Sequence, residues 1–325
     1  MPTKDKAKDN DEINIDYRRE HIPSRVREII ETHLAIESED AKEAGALGFM
    51  TRALAIATMP HRDPGTDVFQ RTNGDFTLRM LAGSPDGLPF GSLPRMLTSW
   101  ATTECVRTQS PQLHLGDSLT EFMKELDLAR TGGKRGNITR LHNQMSRLFG
   151  TVINASFTDT LSETKKRIAL RNIVMFDDAD VWWEPKTPDN EGRWVGTLNL
   201  NQKFFEESRQ APIPIDLRVY RVLRNSPLAL DLYTWLTYRF SYLRKPSGLI
   251  RWESLANQFG SGYASDAQGM RDYKKAFLRE LKRVSAIYTE ARIRVVDDGI
   301  HLLPSPPHVK KLPKKQSLQQ LLELD

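Results

Sequence analysis

The sequence predicts an α+β fold in which one arrangement occurs twice: helix, short strand, helix, helix, β-hairpin. Three observations predict it. Residues 118–149 read as a helix, a glycine-rich turn and a second helix. The same pattern returns in residues 227–284. Each second helix of the pair is followed by short strand-like segments separated by turn signals, which suits a β-hairpin.

In the first copy, Leu119, Phe122, Met123 and Leu126 fall at i, i+3, i+4 and i+7, one apolar stripe. Ser118 is placed as N-cap, with Glu121 as its capping-box partner. Gly132, Gly133 and Gly136 are expected to stop this helix, and Asn137 to cap the next. There Ile138, Leu141, Met145, Leu148 and Phe149 share a face, while Arg140, Asn143, Gln144 and Arg147 point the other way. Upstream, Pro94 sits in a tolerated first-turn position of a helix carrying Leu93, Met96, Leu97 and Trp100. Leu113–Leu115 reads as a short strand. Downstream, Val152–Thr158 and Arg167–Met175 read as strands, and Trp194–Leu200 pairs back beyond the loop 185–192. Before all of these, Ala46–Met59 fits a helix or a strand pair equally, and Phe76–Leu81 alternates as a strand.

Pro212 and Pro214 mark a boundary, and the second copy follows. Pro227 opens a helix with Leu228, Leu232, Trp235, Leu236 and Leu243 at helical spacing. Leu249–Ile250 is a short strand, Trp252–Phe259 a helix and Gly260–Gly262 the turn. Asp266–Val284 directs Met270, Tyr273, Phe277, Leu281 and Val284 inward and Arg271, Lys275, Arg279 and Lys282 outward. Ile287–Arg292 and Arg294–Leu302 complete a hairpin around Asp297-Asp298-Gly299. This element order is that of a winged helix. The expected organisation is a polar segment with a short amphipathic helix (1–45), two winged helices (46–210 and 211–304) and a basic tail (305–325).

The formal net charge is +5. Residues 1–44 hold eight Lys or Arg against twelve Asp or Glu, so the remainder carries +9. A basic body favours an acidic polymer or surface as partner. Cys105 is the single cysteine, which excludes an intrachain disulfide and suits a cytoplasmic protein; it reads as a buried, inert thiol. The polar N-terminus does not fit a signal peptide, and no apolar run reaches membrane-spanning length. Neither Gly83–Gly91 nor Thr131–Asn137 has the order of a phosphate-binding loop. The seven histidines are scattered without metal-ligand spacing. Asp177, Asp178 and Asp180 fit an acidic turn at a strand end better than a metal site. Trp182 and Trp183 fit a core cover or a wing. No cofactor, metal or catalytic residue is expected, and the chain reads as a non-enzyme.

The two outward faces carry the functional reading. Arg forks onto guanine, Asn and Gln onto adenine, and Lys134 and Arg135 in the turn suit phosphates. No Asp or Glu occurs between Asp127 and Asp159, whereas five Lys or Arg do. A solvated helix face explains one such stripe. Two copies favour double-stranded DNA.

Several runs resemble the RepA replication initiators of bacterial plasmids. They are Leu88-Pro89-Phe90-Gly91 with Pro94-Arg95, Glu104–Thr108, Leu115–Leu126, Thr131–Gly136 into Gln144-Met145, and Leu230–Arg239. The resemblance spans about Ala46 to Leu303. It implies binding to direct origin repeats (iterons), opening of a neighbouring A·T-rich segment, recruitment of the host helicase, and self-repression as a dimer. It also implies that the second winged helix reads bases, here through Arg271, Lys275, Arg279 and Lys282. The first would add backbone contacts and a dimer surface. Outside the resemblance, Gln319, Leu322 and Leu324 match a peptide used to dock on the polymerase sliding clamp; a short amphipathic helix explains them as well.

Overall fold

The computed structural model describes residues 46–309 except 52–54, 56–57, 74–75, 161–165, 185–192, 211, 261 and 264–265. It also describes 28–29, 31–33, 36, 41 and 44–45. For 73, 76, 157–160, 166–171, 173, 182–184, 193 and 195 it describes the backbone alone. The basic tail from 310, the proposed clamp peptide Gln319, Leu322 and Leu324, and most of 1–45 lie outside the described residues. Positions 28–29, 31–33 and 36 of the expected first helix are helical, with Ile29 buried.

The architecture is α+β with several small antiparallel sheets. Strand β1 (Leu47–Met50) forms the start of the stretch 46–59 that sequence left open, and Ala55 further on is helical. Then come β2 (Val68–Asn73) and β3 (Phe76–Leu81). Helix α1 (Ser92–Thr108) is followed by β4 (Gln112–His114), α2 (Leu119–Glu125) and α3 (Asn137–Phe149). Four strands follow: β5 (Val152–Thr160), β6 (Lys166–Val174), β7 (Phe176–Glu184) and β8 (Arg193–Leu200). Helix α4 (Gln202–Gln210), β9 (Ile213–Asp216) and α5 (Leu217–Leu223) connect to the second part. It holds α6 (Pro227–Phe240), β10 (Ile250–Arg251), α7 (Trp252–Phe259), α8 (Ala267–Ser285), β11 (Ile293–Val296) and β12 (Gly299–Leu302).

The sheet orders β4-β8-β7 and β10-β12-β11 correspond. In each, the short strand after the first helix pairs with the last strand of the closing hairpin. The hairpin directly after α3 is not that closing hairpin. β5 pairs with β3 and β6 with β5, giving the separate sheet β2-β3-β5-β6. Three strands are missing from the sequence reading, β2, β9 and, in the closing hairpin of the first copy, β7. Its acidic residues Asp177, Asp178 and Asp180 are exposed along the strand, with an irregularity at Phe176/Asp178, instead of forming a turn. Such a strand lacks the alternation that marks a half-buried one. The second hairpin also starts later than expected. Ile287 and Tyr288 do not extend into a strand; they pack into the core beyond the end of α8.

Two helix ends depart from expectation. Ser118 does cap α2, accepting from Glu121 N at 3.1 Å. The helix nevertheless ends at Glu125, not at Gly132. Asp127 takes a left-handed conformation (φ 52°), and bonds from Asp127 N to Lys124 O and from Leu128 N to Met123 O close the end. Arg224 holds the Asp127 carboxylate at 3.0 Å. Asn137 belongs to α3 and does not cap it; Gly136 precedes the helix.

A shared junction joins the early and late parts. β1 pairs antiparallel with β9, so Pro214, expected at a boundary, lies in a strand opposite Phe49. Arg95 of α1 reaches Asp231 of α6 through two bonds of 2.6 and 2.7 Å, and its remaining donors go to Met59, Pro60 and Gly91 carbonyls. His61 Nε2 lies 2.8 Å from the same carboxylate. Burial pushes the His61 pKa down to about 4, against the pull of Asp231, so at neutral pH His61 is uncharged and donates to Asp231. Arg71 of β2 and Thr58 both donate to the Gln258 carbonyl, near the end of α7 where helix carbonyls lack partners. The first part therefore braces the end of α7. Cys105 is buried, and burial raises its thiol to about 12, consistent with an inert side chain.

Candidate nucleic-acid interface

The turn before α3 is built by close packing. A Cβ on Gly136 would meet the carbonyls of Thr131 and Gly132 at 2.4 and 2.3 Å, so only glycine fits. Asn137 ties this turn to the helix, donating through Nδ2 to Ala129 O at 2.9 Å, and Thr139 donates to Gly133 O at 3.0 Å. Lys134 and Arg135 stand exposed in the turn. On α3, Arg140 and Asn143 are exposed.

Gln144 and Arg147 do not share that exposure. Residues 84–91 cross the flank of α3. Gln144 is only 7% exposed, and its Oε1 accepts from Phe90 N at 2.9 Å. Arg147 lies over the Phe90 ring at 5.0 Å and donates to Leu88 O at 3.0 Å and to Asp63 at 3.2 Å. Wheel position placed both outward correctly with respect to the α3 core. It had no access to a segment arriving from more than fifty residues upstream.

On α8 the four residues named from sequence, Arg271, Lys275, Arg279 and Lys282, are all exposed. Asp266 caps the helix, accepting from Gly269 N at 2.7 Å. Arg271 folds onto Gln268 and Arg279 onto Glu280. Glu280 is buried. Burial raises its pKa, but Arg279, Arg283 and Ser226 outweigh that and hold it below the usual carboxylate range. Sequence reasoning missed Lys274, which donates to Asp297 O at 3.0 Å and stacks over Trp252, joining α8 to the β11–β12 turn. Its i+3 spacing from Arg271 was the available signal.

Among the described residues, no group of three His, Cys, Asp or Glu is placed to hold a metal ion, and no helix is long and apolar enough to cross a membrane. Trp182 and Trp183 lie in β7, with side chains outside the described residues.

Two structures of RctB domains 2 and 3 are similar to the chain, one of them a selenomethionine derivative. Their identities are 12% and 14%, with TM-scores of 0.46 and 0.45; each covers 77% of this chain and 96% of the other. No curated protein matches the chain in sequence. The model of one family, described as plasmid encoded RepA protein, matches residues 88–253, just over half of the chain. The match takes in α1 to α6 and the opening of α7, and ends before α8. The chain belongs to this family, whose members are plasmid replication initiators.

Proposed function

We propose that the chain initiates plasmid replication by binding repeated origin DNA (iterons) through two tandem winged helices, 46–210 and 211–304. The observation that carries this reading is the repetition itself. Two copies share one order of three helices and one strand order, β4-β8-β7 and β10-β12-β11, with the hairpin β5–β6 inserted in the first, and the third helix of each exposes cations, Arg140 on α3 and Arg271, Lys275, Arg279 and Lys282 on α8. In this reading Arg271, Lys275, Arg279 and Lys282 enter a groove, with the arginines suited to guanine. Lys134, Arg135, Arg140 and Asn143 contact phosphates or a second site, supported from behind by Gln144 and Arg147.

The initiator then promotes opening of an adjacent A·T-rich segment and gathers the host replicative helicase, without catalysis and without a cofactor. Self-association regulates it, and the cytoplasm is its place of action. Gln319, Leu322 and Leu324 serve as a sliding-clamp peptide; deletion of residues 322–325 then abolishes binding to the clamp, and unchanged binding removes that part of the proposal.

A footprint on the replicon that carries the gene, taken over a salt series, tests the whole. The expected result is protection of several direct repeats with distortion of a neighbouring A·T-rich segment, weakening steeply as salt rises. Protection of one inverted repeat over a promoter, with no distortion elsewhere, instead identifies a winged-helix transcriptional repressor acting as a dimer.

A further inference from the structure

A cleft of about 270 Å³ opens between α1, the end of α2 and α5. Its walls are apolar, with Met96 and Trp100 from α1, Leu126 after α2 and Leu217 from α5. Three acids line it, Glu104, Glu125 and Asp127, against one cation, Arg221. That sign runs against the rest of the chain, which carries +9 beyond residue 44. The acids differ in how far they are engaged. Asp127 is held by Arg224 at 3.0 Å and lies 3.4 Å from Arg221. Glu104 pairs with Arg107, whose side chain is 58% exposed, and a surface pair of that kind contributes little. Glu125 is exposed and accepts from the neutral Trp100 indole N–H at 2.7 Å, so its charge has no cationic partner among the described residues.

A second observation comes from the lining itself. Ser99 borders the cleft and is buried, yet its hydroxyl has no hydrogen-bond partner. Buried hydroxyls are seldom left so. A main-chain group entering the cleft would satisfy it.

The chain itself carries a segment of matching chemistry that starts nearby. The described residues end at Val309, which is buried. Just before it, His308 Nδ1 lies 2.9 Å from the Tyr233 hydroxyl, and that hydroxyl accepts from Asp216 N at 3.0 Å. Asp216 directly precedes Leu217 of the cleft wall, so the chain leaves the described fold beside α5. The next six residues, Lys310-Lys311-Leu312-Pro313-Lys314-Lys315, set one leucine between two pairs of cations. Six residues extend to about 20 Å. A segment tethered so close docks at high effective concentration, so a weak contact suffices.

We propose that this cleft receives residues 310–315 of the chain's own tail, with Leu312 against the apolar walls and the flanking lysines against Glu104 and Glu125. The contact is autoinhibitory for the tail: lysines seated on these carboxylates are withheld from any other anionic partner. The docking does not rest on the DNA reading of α3 and α8.

The test uses the full chain with Ser317→Cys and a nitroxide on that thiol. Cys105 does not compete, since it is fully buried with its thiol raised to about 12. Two indole N–H resonances are followed, that of Trp100 in the cleft and that of Trp252, which donates to Asp297 O in the second copy. A docked tail removes most of the Trp100 intensity, leaves Trp252 unchanged, and the loss reverses when the nitroxide is reduced. Leu312 lies outside the described residues, so Leu312→Asp leaves the described core untouched; with it, Trp100 regains its intensity. Full Trp100 intensity in the parent, equal loss at both indoles, or a loss that survives Leu312→Asp overturns the proposal. Isotope-labelled chains without nitroxide are then mixed with unlabelled chains that carry it. Broadening of Trp100 in the mixture gives the cleft to the tail of a second copy and overturns docking within one chain; its absence supports it.

Discussion

Helices α3 and α8 hold the same place in the two copies, yet they spend their polar residues differently. Of the four polar residues that α3 turns away from its own core, two are engaged beneath residues 84–91. A Ser84–Ser146 hydroxyl contact of 2.9 Å and the Gly83 N to Gly150 O bond fasten that segment in place. All four outward cations of α8 stay exposed, although Arg279 pairs with the buried acid Glu280, which also pairs with Arg283, and Arg271 donates to Gln268. Residue type and periodicity give a helix face; what another segment lays across that face decides whether the residues bind a partner or bind the protein.

Both helices depend on the junction that fixes them relative to each other, so the largest effect is expected there. Asp231→Ala leaves Arg95 with a buried, unpaired charge and removes the acceptor of His61. Breaking a buried pair in this way costs about 3–5 kcal/mol. Chemical denaturation should show that loss as a lower midpoint. A change below about 1 kcal/mol would mean that water or a rearranged Arg95 replaces Asp231 easily, and α3 and α8 would no longer be expected to move as one body.

Next in size is the contrast between the two faces on DNA. Removing three charges from α8 by Arg271→Ala, Lys275→Ala and Lys282→Ala should flatten the salt slope by about 2.7, if each meets one phosphate. Arg140→Ala, the single open cation among the four outward residues of α3, should flatten it by about 0.9. Binding measured from low to high salt separates the two. Equal slopes, or a larger loss from Arg140→Ala, would reverse the assignment of the principal DNA contact to α8.

Much of this architecture was legible because the helices obey their own periodicity. The stripes of α2, α3, α6 and α8 lie in the core as read, and the cap Ser118 bonds as its residue type requires, whereas Asn137, expected to cap α3, lies within it. The illegible parts are those decided by distant pairing. Nothing local in 152–174 reveals that this hairpin joins β2–β3 and leaves β7–β8 to pair with β4. Nor does Pro214 announce a strand opposite Phe49. Pro94-Arg95 and Leu230-Asp231 appeared as separate runs of a family resemblance, and only the fold joins them as an ion pair. Of the candidate site, the cations of α8 were readable from spacing. The engagement of Gln144 was not, because its partner is a backbone N–H that no side-chain pattern encodes.

That last residue gives the smallest effect and the sharpest discrimination. Gln144→Leu keeps the bulk of the side chain but leaves the N–H of Phe90 without its acceptor, which costs about 1–3 kcal/mol of stability. Lys275→Ala, at the open face of α8, should change stability by no more than about 0.5 kcal/mol. The two variants measured side by side by denaturant unfolding test whether the α3 flank is roofed and the α8 face is free. If Gln144→Leu proved as neutral as Lys275→Ala, residues 84–91 would not be anchored on α3. Gln144 would then stand open to a partner, as its position on the helical wheel suggests.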